Sequence, residues 1–142
     1  MRQQIEVAAN TTGLAQLMSF SDMAERALPL LDEQCFVMRL TIEEIATNII
    51  KYGYSGDPAG PIQVECWCEH GELHVVIRDR GTPFDPHSAP APDLVADLAQ
   101  RKIGGLGLFL VRELADELIY RHDPATGWNE LSVLKRGEAS SV

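Results

Sequence analysis

The sequence has few of the features that mark membrane-spanning or disulfide-stabilised proteins. Its longest apolar stretch, around Leu106 to Val111, is far shorter than the roughly 20 residues that cross a bilayer. No basic-then-apolar leader opens the chain. The three cysteines are Cys35, Cys66 and Cys68, and none of them forms the Cys-x-x-Cys spacing of a zinc or redox pair. We therefore expect reduced, buried thiols in a cytoplasmic protein that has no membrane partner.

Positive charge is also scarce. The chain carries 12 Lys or Arg residues against 21 Asp or Glu residues, for a net charge of −9. Proteins that bind nucleic acid without sequence preference need a cationic face, so we expect no direct contact with nucleic acid. A nucleotide phosphate would need a site built from a metal ion, a helix N-terminus or a few well-placed cations.

The length and composition fit one globular domain over residues 1–142, with 45% hydrophobic and 23% charged residues. Apolar periodicity and turn residues predict, in order, a strand, two helices, a hairpin, a helix and two final strands, over 4–8, 14–31, 32–53, 62–79, 104–116, 117–121 and 129–135. The hairpin and the paired final strands favour an α+β fold, in which helices cover one face of a mixed or antiparallel sheet.

The first candidate motif lies on the second long helix. Thr41, Glu44, Asn48 and Lys51 recur at steps of three and four residues, which places a polar stripe beside an apolar one. An asparagine oxygen suits a hard cation, and a glutamate one turn away can take a proton from an attacking group. Taken alone, the stripe is also typical of a solvated helix face.

The second motif is Asp79-Arg80-Gly81-Thr82-Pro83-Phe84, at the end of a predicted strand. An aspartate there can accept a hydrogen bond from an exocyclic amine, and Gly81 lets a flat ring approach the backbone closely. The alternative interpretation is an ordinary strand-ending turn. Residues 80–103 contain four of the eight prolines of the chain, which makes residues 82–103 a candidate lid.

The third motif is Gly104-Gly105-Leu106-Gly107 at a predicted helix start. Free backbone amides and the helix dipole attract phosphate at such a position. No Gly-Lys-Ser or Gly-Lys-Thr follows, so this is not a P-loop. A glycine-rich turn without a ligand is the alternative.

The three motifs in this order resemble the GHKL ATPase superfamily, and within it the anti-sigma-factor serine/threonine kinases. The resemblance rests on residues 43–54 (EEIATNIIKYGY), 79–86 (DRGTPFDP) and 104–110 (GGLGLFL). It implies a two-layer α+β sandwich, the Bergerat fold, with a mixed sheet, helices on one face and ATP held on the helical side.

The resemblance also implies a role for individual residues. Glu44 would be the general base, Asn48 would ligate Mg²⁺, Asp79 would accept from the adenine amine, and Gly81 would lie beneath the ring. The implied ATP-binding set is Asn48, Lys51, Asp79, Gly81, Phe84, Arg101, Lys102, Gly104, Gly105, Leu106, Gly107, Leu108 and Asn129. For Lys51, Arg101 and Lys102 a solvated side chain is the alternative.

Asn129 marks a departure from the family. Related chains often carry a threonine in a Gly-Thr-x-Val strand, whereas this chain has Gly127-Trp128-Asn129-Glu130-Leu131. We expect the Asn129 amide to replace the hydroxyl in the hydrogen bonds behind the adenine and the aspartate.

The implied function is a kinase that phosphorylates a serine or threonine of an anti-anti-sigma (STAS-type) partner and binds a sigma factor, as a homodimer. A non-catalytic ATP-binding or partner-binding module is the first alternative. A detached histidine-kinase catalytic domain is the second. It is less favoured because no predicted helix pair carries a phospho-acceptor histidine: the four histidines are His70, His74, His87 and His122.

Overall fold

A computed structural model describes residues 1–54, 59–88 and 106–137 of the chain. The elements follow the predicted order: β1 (Arg2–Ala8), α1 (Thr11–Ala27), α2 (Asp32–Asn48), a π-helical turn (Ile49–Gly53), β2 (Pro61–Glu69), β3 (Glu72–Asp79), a short 3-10 turn (Pro86–Ser88), α3 (Leu106–Leu114), β4 (Glu117–His122) and β5 (Asn129–Arg136).

The five strands form one sheet in the order β1-β2-β3-β5-β4. All four pairings between these strands are antiparallel. Two helices lie between β1 and β2 in the chain, and β2 then pairs with β1. Short connections join β2 to β3 and β4 to β5. Of the two arrangements that the sequence left open, the antiparallel one is found, and the mixed sheet implied by the resemblance is corrected.

Helix α1 begins three residues before the predicted start at Leu14 and ends four residues before the predicted end at Leu31. The Asn10 side-chain oxygen accepts a hydrogen bond from the Gly13 amide at 2.8 Å, which caps the helix N-terminus. Leu28 is already extended, because the residue before a proline disfavours the helical region and Pro29 follows. The predicted helix over 14–31 is therefore shorter by one turn at its C-terminal end.

The helices cover one face of the sheet. The apolar stripe predicted on α2 is buried, with Met38 and Ile42 fully inaccessible and Ile45 and Ile49 under 9% exposed. These side chains join one core with the inward-facing residues of the strands. The two-layer α+β prediction is confirmed.

The other sheet face is polar, with Arg78 paired to Glu65 and Glu130. Cys35 and Cys66 are free and buried, and Cys68 is free and partly exposed. Within the described ranges, no helix combines the length and the apolar character needed to cross a bilayer.

Candidate functional site

A cleft opens between α2, the π-helical turn and the inner face of β3, β5 and β4. It encloses a small cavity of about 40 Å³. Its lining is mostly apolar, with a few polar groups: Ile45, Asn48, Ile49, Tyr52, Gly53, Ile77, Asp79, Thr82, Phe84, Pro86, Tyr120, Asn129 and Leu131. Four of the predicted ligand residues, Asn48, Asp79, Phe84 and Asn129, therefore meet in one cleft.

Asp79 forms the polar end of this cleft and is only 7% exposed. Its Oδ2 accepts hydrogen bonds from the Gly81 amide at 2.9 Å and from Asn129 Nδ2 at 3.3 Å. Among the described residues, no donor reaches Oδ1, so this oxygen can accept from a ligand. Burial raises the pKa of Asp79, while the two hydrogen bonds and the nearby His122 lower that pKa.

Asn129 lies directly behind Asp79 and is 3% exposed. Its Nδ2 also donates to the Gly81 carbonyl at 2.9 Å, and its Oδ1 lies 3.1 Å from the Tyr120 hydroxyl and 2.6 Å from His122 Nδ1. The hydrogen bond expected from Asn129 to the aspartate is present. All four hydrogen-bonding positions of this buried amide are occupied.

Sequence reasoning missed Tyr120 and His122. The strand register pairs Asp79 with Asn129 and Asn129 with His122, so these three residues form one row across β3, β5 and β4. Tyr120 precedes His122 by two residues and faces the same side. The available signal was this alternation in β4, combined with the pairing of the two final strands.

Gly81 is held against the π-helical turn. A Cβ at Gly81 would lie 2.5 Å from the Gly53 carbonyl oxygen, a separation that real side chains do not tolerate. The adjacent Thr82 amide donates to the same oxygen at 2.6 Å. The glycine is required here by a backbone-to-backbone contact, whereas its predicted position beneath a ligand ring stays a prediction.

Glu44 lies one turn before Asn48 on α2. It does not itself line the cleft, and its carboxyl group packs against the start of α3. A Cβ on Gly107 would overlap the Glu44 carboxyl group, so the glycine lets α3 pack directly on this side chain. Burial, and then the neighbouring Glu43, raise the pKa of Glu44, while Lys51 lowers it. A partly desolvated carboxylate with a raised pKa is a better proton acceptor at neutral pH than an ordinary surface glutamate.

The remaining predicted residues are placed less directly. Lys51 is exposed on the π-helical turn and does not line the cleft, and Thr41 is fully buried, so the polar stripe on α2 begins at Glu44. Leu108 packs into the core, so only its backbone can contact a ligand. The backbone of Leu106 begins α3. Arg101, Lys102, Gly104, Gly105 and the segment 89–103 of the expected lid lie outside the described residues.

The fold and the cleft together define the class: an α+β domain with a mostly apolar cleft between a long helix and the end of a buried strand. Residues 7–134 match the model of the histidine kinase-like ATPase domain family, and the chain belongs to that family. The family membership expected from the three motifs is confirmed.

Individual relatives agree with this assignment. The serine-protein kinase RsbW of Listeria monocytogenes is 32% identical over 90 residues, which are 61% of this chain and 57% of that protein. An anti-sigma F factor from Geobacillus kaustophilus is 25% identical over 99 residues, or 70% of this chain and 67% of that protein. The chain thus spans little more than half the length of the Listeria kinase.

A solved structure has the same fold. The crystal structure of the RsbU and RsbW domains of Rv1364c from Mycobacterium tuberculosis matches with a TM-score of 0.68 at 16% identity, over 96% of this chain and 32% of that chain. At this identity the match concerns the fold, and it supports the predicted Bergerat architecture.

Proposed function

We propose that this chain is an ATP-dependent protein serine/threonine kinase that acts as an anti-sigma regulatory factor in the cytoplasm. Its substrate is a serine or threonine hydroxyl on an anti-anti-sigma (STAS-type) partner. The names of the Listeria and Geobacillus relatives support this assignment. A sigma factor as the second partner and a homodimeric state belong to the same proposal.

The observation that carries the proposal is the placement of Glu44. Glu44 lies one helical turn from Asn48, which lines the cleft that ends at Asp79, and its carboxyl group meets the start of α3 at Gly107. A module that only binds ATP has no chemical use for a partly buried carboxylate with a raised pKa at this point. In the proposed reaction Glu44 takes the proton from the partner hydroxyl, the hydroxyl oxygen bonds to the γ-phosphorus, and the bond to the β-phosphate oxygen breaks to release ADP.

The adenine would occupy the apolar part of the cleft. Asp79 Oδ1 would accept from the 6-amino group, while Ile45, Ile49 and Ile77 supply apolar surface around the ring. The start of α3 at Leu106 and Gly107 offers backbone amides to the phosphates. An acidic chain can hold ATP in this way because oriented amides supply the positive field that its side chains do not.

The residues present fit a magnesium ion held together with ATP. Mg²⁺ keeps several waters and takes few protein ligands when it also binds substrate phosphates. Asn48 offers one side-chain oxygen in the cleft, and that oxygen is the protein ligand we assign. The ion would neutralise charge on the phosphates during transfer.

A non-catalytic binding module is the competing interpretation, and the departure at Asn129 is what favours it. The hydrogen bonds of Asn129 weaken this support for a non-catalytic module. The Asn129 amide lies behind Asp79, and all of its hydrogen-bonding positions are occupied. Asn129 therefore serves as a substitute for the threonine hydroxyl in the proposal.

The nucleotide site is tested by calorimetric titration of the protein with ATP, with and without Mg²⁺. Asn48→Ala is expected to lose the magnesium-dependent part of the affinity, about tenfold or more, since one hydrogen-bonding or ligating oxygen is removed. Thr47→Ala, at the preceding position of the same helix, is the control and should bind ATP as the parent does. Equal magnesium dependence in Asn48→Ala and the parent contradicts the assignment of Asn48.

The pH dependence of transfer tests Glu44 through its two charged neighbours. Activity should fall as the pH drops through the pKa of Glu44, because the protonated acid cannot accept a proton. Glu43→Gln removes the charge that raises this pKa and should move the acid limb of kcat/KM to lower pH. Lys51→Met removes the charge that lowers this pKa and should move the limb to higher pH. If the acid limbs of the two variants move in the same direction, or do not move, the assignment of Glu44 as the general base is contradicted.

A further inference from the structure

The orientation of the Asn129 amide is dictated by its neighbours. Its nitrogen faces the Gly81 carbonyl and Asp79 Oδ2, and a carbonyl and an ionised carboxylate only accept hydrogen bonds. A reversed amide would place its oxygen 2.9 Å from the Gly81 carbonyl, and three acceptors would meet without a proton between them. The observed orientation is the one that satisfies every group.

This orientation fixes the roles of two residues on β4. The Asn129 oxygen can only accept, so the Tyr120 hydroxyl and His122 Nδ1 must both donate to it. His122 therefore carries a proton on Nδ1. Both donors come from one face of β4, which holds them beside the first residue of β5.

The same orientation determines what Asp79 can recognise. The hydrogen bond from Asn129 Nδ2 to Oδ2 favours the ionised carboxylate. An ionised carboxylate accepts from the 6-amino group of adenine and repels the 6-oxo group of hypoxanthine or guanine. A protonated carboxyl, in contrast, can donate to a 6-oxo group. Without donors from β4 the Asn129 oxygen would be buried and unsatisfied, so the side chain would leave this position, and its hydrogen bond to Oδ2, which favours the ionised form, would be lost.

We propose that Tyr120 and His122 are positioning residues that fix the Asn129 amide and thereby set the preference of the cleft for 6-amino over 6-oxo purine nucleotides. The inference rests on the proposed ATP site. Tyr120 and His122 act on base selectivity indirectly, because they contact Asn129, and Asn129 contacts the Asp79 carboxylate that binds the base.

The test compares ATP with ITP, which carries a 6-oxo group in place of the 6-amino group. Both are titrated calorimetrically, with Mg²⁺, into the parent, Tyr120→Phe, His122→Phe and the double variant, and the measured quantity is the ratio of the ITP and ATP Kd values. The ratio should fall about tenfold in the double variant, in keeping with the loss of hydrogen bonds to a buried polar group. Tyr120→Phe removes one oxygen atom and should give a smaller fall.

A conservative variant separates positioning from packing. In His122→Asn the side-chain amide nitrogen can occupy the place of Nδ1 and donate to Asn129, so this variant should retain the parent ratio. Equal weakening of ATP and ITP, with an unchanged ratio in Tyr120→Phe and His122→Phe, would mean a merely structural role and overturn the inference.

Two results with the parent protein distinguish the inference from the proposed function. A parent that binds both nucleotides with a ratio near one overturns the inference alone. A folded parent that binds neither nucleotide overturns the proposed ATP site, and the inference with it.

Discussion

Glu44→Gln is expected to reduce phosphoryl transfer by about 10²- to 10⁴-fold while ATP still binds. The carboxamide has nearly the same shape as the carboxylate, so it can fill the same space against Gly107, but it cannot take a proton from the attacking hydroxyl. The measurement is single-turnover phosphate transfer from ATP to a purified STAS-type protein, together with the calorimetric affinity for ATP.

The neighbouring residue provides a matched control for this change. Glu43→Gln makes the same chemical change at an exposed position one residue away and should leave the transfer rate at neutral pH close to that of the parent. If Glu44→Gln transfers phosphate as fast as the parent, Glu44 is not the general base. If both variants lose transfer equally, the effect belongs to helix α2 and not to one carboxylate.

Asp79→Asn is expected to weaken ATP binding by about 100-fold and to improve binding of ITP relative to ATP. The Gly81 amide and Asn129 Nδ2 both donate to Oδ2 of the parent, so they would hold the carboxamide oxygen of the variant at that position. The new amino group would then take the place of Oδ1, where it opposes the adenine amine and can donate to a 6-oxo group.

Calorimetric titration with ATP and ITP measures this exchange of preference. Glu6→Gln makes the same change on β1, on the polar face of the sheet, and should bind both nucleotides as the parent does. An Asp79→Asn variant that still prefers ATP by the parent ratio would show that Asp79 does not read the 6-position of the base.

Local patterns in the sequence were sufficient for most of the fold. The spacing of Met38, Ile42, Ile45 and Ile49 predicts the buried face of α2, because a helix that packs on a sheet must bury one stripe. The strands follow from alternation and turn residues in the same way. The antiparallel pairing of the whole sheet did not follow, since register and strand order depend on contacts between distant segments.

The candidate site was predictable where one element carries the chemistry. Asn48 and Asp79, which both line the cleft, were predicted from the order and context of the three motifs, since each motif alone also fits an ordinary helix face or turn. The donors Tyr120 and His122 were missed because their role exists only when β4 is paired with β5. Thr41 was placed wrongly because a period of 3.6 residues does not decide at which residue a helix stripe passes into the core.

The contact between Gly53 and Gly81 has a consequence for how this domain can change over evolutionary time. These residues are 28 positions apart in the chain, yet the backbone at one leaves no room for a Cβ at the other. A mutation that adds a side chain at Gly81 would have to move the turn that follows Asn48, and with it the proposed metal ligand. A side chain at Gly81 would therefore alter base recognition and metal binding together, and we expect lineages that lose Gly81 to lose nucleotide dependence as a whole.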